Sequence, residues 1–222
     1  MGRNQRKLLK AAGEAAVPPI VTYIGFTDDI ATRSYYTFSA TPIGTASADR
    51  LVVVAVHLTD YIATALSSVT IGGVTASIDV APIFNGNKGV VGLASLIVAA
   101  GTTATIGVNT AGGPARGCSI AVHTITGLAS GTAKATASAS VVFPPVSTTI
   151  NVGVNDALIV AMSSDSNDAY ISAGVVESYN QLGDGKSRAG GFLVATAAET
   201  PRTVSATDVS GKDIAIAAAT WE

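Results

Sequence analysis

Past Pro18-Pro19 the chain alternates between short apolar runs and clusters of Gly, Pro, Asn, Asp and Ser. Runs at 20–26, 34–40, 51–58, 69–78, 89–100, 139–143, 147–152 and 174–179 have strand length and end on turn residues. None holds a helical spacing for long, so the pattern predicts β-strands throughout residues 19–222. Residues 1–17 are different. Asn4-Gln5-Arg6-Lys7-Leu8-Leu9-Lys10-Ala11-Ala12 reads as a short basic helix, weakened by Gly13 and stopped by the two prolines.

The strand runs recur in order. Asp49-Arg50-Leu51-Val52-Val53-Val54-Ala55 is matched by Asp156-Ala157-Leu158-Ile159-Val160-Ala161-Met162. Leu96-Ile97-Val98-Ala99 is matched by Phe192-Leu193-Val194-Ala195, and Thr105-Ile106-Gly107-Val108 by Thr203-Val204-Ser205-Ala206. Cys118-Ser119-Ile120-Ala121-Val122 is matched by Ile214-Ala215-Ile216-Ala217-Ala218. Two similar halves result, about 48–127 and 155–222, each expected to supply some four strands. A single small sheet has one dry face and nothing to set against it. The expectation is therefore all-β: one antiparallel sandwich of two sheets over residues 19–222, jelly-roll-like, preceded by a helical arm over 1–18.

Composition adds a constraint on surroundings. Charged residues are 13% of the chain and aromatic residues 5%, against ~25% charged in ordinary soluble domains. A surface so poor in charge suits a subunit largely covered by neighbours. A formal net charge of −2 gives no basic stripe for nucleic acid. The apolar runs fall short of the ~20 residues of a membrane-spanning helix. The basic start leads into Lys10 and Glu14 rather than an apolar signal region. With one cysteine, Cys118, the chain forms no internal disulfide.

Candidate chemistry is sparse. His57 and His123, the two histidines, each follow an apolar run and read as strand residues. Cys118 and His123 invite a nucleophile–base pair, but five positions along one strand put them on opposite faces. No Gly-x-Ser-x-Gly elbow, dinucleotide fingerprint or phosphate-binding loop is present. Asp165, Asn167 and Asp168 form the best oxygen-rich loop, a weak calcium candidate without the glycine and glutamate of an EF-hand. Tyr35, Tyr36, Tyr61 and Tyr170 are candidate interface aromatics, a class that also includes Tyr179. Arg3, Arg6, Lys7, Leu8, Leu9 and Lys10 make the first segment a candidate arm for docking onto a partner. No cofactor and no enzymatic activity are expected.

Ala48-Asp49-Arg50-Leu51-Val52-Val53-Val54-Ala55, the Gly turn of Val69-Thr70-Ile71-Gly72-Gly73-Val74 and the strand Ile120-Ala121-Val122-His123-Thr124-Ile125-Thr126-Gly127 carry a resemblance. In style, residues 45–222 resemble the Ala/Gly/Thr/Val-rich β-sandwich proteins of tailed-phage and prophage virions. The resemblance implies a virion structural protein, a capsid decoration or minor head protein assembled in the host cytoplasm. Its expected partners are other virion proteins and further copies of itself, with no nucleic acid and no membrane. A tail-fibre or adhesin-like module binding host surface carbohydrate is the alternative.

Overall fold

The computed structural model describes residues 17–59, 64–84, 89–168, 170–183, 185–208 and 211–222, and none of these is helical. The proposed helical arm lies outside the described residues. The first half comprises β1 (Ile20–Asp29), β2 (Tyr35–Pro42), β3 (Leu51–Thr59), β4 (Ala65–Ile71), β5 (Val74–Thr75), β6 (Ser77–Val80), β7 (Gly89–Ile97), β8 (Thr103–Ala111) and β9 (Gly117–Thr126). The second comprises β10 (Ala135–Val141), β11 (Val146–Val152), β12 (Ala157–Ser164), β13 (Tyr170–Ala173), β14 (Val176–Gly183), β15 (Lys186–Val194), β16 (Glu199–Asp208) and β17 (Ile214–Trp221).

Strand pairing repeats between the halves. The order β1-β9-β3-β7-β6 in one sheet corresponds to β10-β17-β12-β15-β14 in another. The order β2-β8-β4-β5 corresponds to β11-β16-β13. All of these pairings are antiparallel. The matched sequence blocks fall on β3 and β12, on the ends of β7 and β15, on β8 and β16, and on β9 and β17.

Three cores separate the four sheets. One lies between the four-stranded sheet and its five-stranded neighbour, with Phe38, Val52, Val54, Val69, Ile106 and Ile120. Another fills the second half between its two sheets, with Val146, Leu158, Val160, Met162, Val204 and Ile216. The third lies between the two five-stranded sheets, with Leu51, Val53, Leu93, Ile159, Tyr179 and Trp221. The layers therefore run outer, inner, inner, outer. This corrects the expectation of two sheets and of about four strands per half. Each half is a sandwich with its own core, and the two sandwiches stack.

The physical reason is visible on β3. Alternate residues of a strand point to opposite faces. Val52, Val54 and Val56 face the outer sheet, and Leu51, Val53 and Ala55 face the other half. Every residue of β3, β12 and β17 is buried. Ala157, Ala161, Ala215, Ala217 and Ala219 form much of the second half's contribution to the shared core. Small side chains there leave room for Tyr179, Trp221 and Phe84 in the same layer.

Candidate functional site

Two places combine polar groups with a distinctive geometry: a buried seam between the halves and an open cleft on one side of the first half.

The seam is built from β1, β3 and β9 on one side and β14 and β15 on the other. His57 on β3 shares a hydrogen bond with the Tyr179 hydroxyl on β14, Nε2 to O 2.9 Å. His123 on β9 reaches the Ser178 hydroxyl at 3.2 Å. The Tyr23 ring stacks on Tyr179 at 5.7 Å and lies 5.2 Å from His123. Arg188 on β15, 1% exposed, donates to the Thr59 hydroxyl at 3.3 Å. Both imidazoles are fully buried. Burial lowers the His57 pKa to about 3, aided by the positive charge of Arg188, and burial lowers that of His123 to about 4. Burial also raises the Tyr179 and Tyr23 hydroxyls. The four groups are therefore neutral at pH 7. The seam aligns the halves through hydrogen bonds of these neutral groups, ring contacts and the contact of the charged Arg188 with Thr59.

Cys118 lies on the opposite face of β9 from His123. It packs in the outer core while His123 faces the seam. Burial pushes the thiol pKa well up, which keeps it protonated and chemically quiet.

The oxygen-rich loop is committed to internal contacts. Asp165 pairs with Lys186, which is buried at the start of β15. Ser164 and Ser166 donate to the buried Asp208, and Ser187 donates to the Asp168 carbonyl. Asn167 is exposed. Among the described residues no three His, Cys, Asp or Glu side chains converge as a metal site.

The tyrosine candidates separate. Tyr36 is a correction: it is fully buried, and its hydroxyl donates to the Ala115 carbonyl at 2.6 Å. Alternation on β2 turns it inward, so it is a core residue rather than an interface one. Tyr35, next to it, is 49% exposed and lies over Gly107 of β8, where a Cβ would meet its ring. Tyr61 and the arm residues lie outside the described residues, and so does the side chain of Tyr170 on β13. Tyr179 is the aromatic that organises the seam. Sequence reasoning grouped it with the other tyrosines, because its partner His57 is 122 positions away.

The cleft runs between the edges of β1 and β2. Three cavities of about 520, 150 and 240 Å³ follow one another along it. Thr27, Thr41 and Pro42 line the first two, and Ile24 lines the second and third. Ile120 and Val122 show through from the core. Asp28 and Asp29 stand at one end and Ile20 at the other. The corresponding side of the second half is closed. There β10 and β11 lie against each other, and the Thr148 hydroxyl reaches the Ser138 carbonyl at 3.5 Å. In the first half both edges carry bulges, between Tyr23 and Gly25 and between Phe38 and Thr41, with Ala40 at φ 51°. Bulges bend their strands away from a flat pairing.

Comparison with protein-family models and with curated proteins finds no match for this chain.

Proposed function

We propose that this chain is a structural component of a phage virion, a capsid decoration or minor head protein displayed on the particle surface. The observation that carries the reading is the build of the molecule. Two stacked sandwiches share a buried core, and the first presents a long edge with no strand partner among the described residues, beside an open cleft. Natural proteins protect such edges, since free N–H and C=O groups recruit another strand. An edge left open on a charge-poor body suits a subunit that meets other subunits.

The strand orders further support reading each half as a jelly roll. The strands β1-β9-β3-β7 and β2-β8-β4-β5 alternate between two facing sheets. Only Ala76 separates β5 from β6, so that stretch crosses from one sheet to the other. The decisive experiment is association with particles. Virions from the producing host are banded on a density gradient and their proteins identified by mass spectrometry. The chain is expected in the particle band. A chain confined to the soluble fraction overturns the reading.

A further inference from the structure

We propose that the β1–β2 cleft receives the N-terminal arm of a second copy of this chain; this rests on the structural reading above and names the partner surface. Four observations carry it. First, the cleft is absent from the otherwise corresponding side of the second half, where β10 and β11 close together. A feature built into one repeat and not the other is specific to that side. Second, both flanking strands are sheet edges with no further strand beside them among the described residues, so a segment laid between them meets an edge on either wall.

Third, the chemistry is complementary. Asp28, which is exposed, and Asp29 are the charges among the described residues lining the cleft, and Arg33 offsets part of the second at 3.4 Å. The arm carries Arg3, Arg6, Lys7 and Lys10 around Leu8 and Leu9. Basic side chains meet the aspartates, and the leucines cover Ile24, Ile120 and Val122 on the floor. Fourth, direction selects a neighbour. The arm enters β1 at Ile20, and the aspartates stand at the strand's far end. The ten residues of β1 span roughly 33 Å. Val17 and Pro19 line a pocket with Val154, Asn155 and Glu222, so the chain runs into β1 from the side of the second half, and reaching its own Asp28 would take the arm back along the whole strand. Even with residues 4–12 as one helix, sixteen residues span roughly 37 Å, enough to bridge to a neighbouring body.

The test uses the full chain with Lys7→Cys in the arm and Thr27→Cys in the cleft, treated with a short bismaleimide. The native Cys118 is buried and stays silent. The expected result is covalent dimers or a ladder that needs both new cysteines. Asp28→Lys should lower that yield severalfold, and combining it with Arg6→Glu should restore part of it. Cross-linking within single chains shows that the arm folds onto its own body and overturns the proposal. Absence of any cross-link in a chain that still enters particles overturns the docking site and leaves the structural role standing. Failure of the unmodified chain to enter particles overturns that role separately.

Discussion

At the scale of single residues, the seam makes sharp demands. The Nδ1 atoms of His57 and His123 have no partner among the described residues, so each imidazole relies on its Nε2 contact. Tyr179→Phe keeps the ring stacked on Tyr23 but leaves His57 without that contact. Leaving a buried polar group unsatisfied costs about 1–3 kcal/mol. Urea denaturation should show a loss of that size with an unchanged slope. A loss near zero would show that the bond contributes nothing to the seam.

The same histidines set an acid limit. Their folded pKa values of about 3 and 4 lie below the ordinary 6.5. Above pH 6.5 both folded and unfolded chains hold them neutral. As pH falls below 6.5 the unfolded chain binds protons that the folded one refuses, so stability drops until the folded values are reached. Each histidine contributes a slope of up to about 1.4 kcal/mol per pH unit. Asp79 acts in the opposite direction. Burial raises its pKa to about 6, against the nearby Ser95 and Ser77 hydroxyls, which lower it. Between pH 6 and pH 4 it takes up a proton more readily when folded, which partly offsets the histidines. Asp79→Asn removes the offset, so its thermal midpoint should fall more steeply than the wild type's over that window. Parallel curves would contradict the assignment.

At the scale of elements, the two-sided strands separate four layers from two. Leu158 faces the core of the second half and Ile159, the next residue, faces the other half. In a sandwich of two sheets one of the pair would face solvent and tolerate truncation. Here Leu158→Ala and Ile159→Ala should each cost about 2–5 kcal/mol in equilibrium unfolding. If either proves nearly neutral, the stacking of the halves is wrong. The strand character of Leu51-Val52-Val53-Val54-Ala55 and of its counterpart was legible in the sequence, and so was the order of the blocks. The same run, which continues through Val56, also held the layering, because six apolar residues in succession leave no polar face. Reading the halves as single sheets missed that signal. The seam was not legible, since the 122 positions between His57 and Tyr179 are joined only by stacking. Nor was the cleft, which depends on how two edges bend rather than on which residues they hold.

At the scale of the whole molecule, the question is whether the two sandwiches stand or fall together. The chain carries its own reporters. Trp221 is the single tryptophan and is fully buried in the core shared by the halves. Cys118 is the single cysteine and is buried in the first half's own core. Separating the halves would expose Trp221 while leaving Cys118 covered by the outer sheet. The shared core contributes to both inner sheets, and strands such as β3 and β12 have no polar face to offer water if the stack opens. Exposing those faces at roughly 25 cal/mol per Å² of apolar surface makes a separated state costly. The red shift of Trp221 fluorescence and the thiol labelling of Cys118 should therefore follow one coincident transition in denaturant. Cys118 should also resist labelling in native buffer. A fluorescence change that precedes thiol exposure would mean that the halves part before either unfolds, and would make the seam a joint rather than a core.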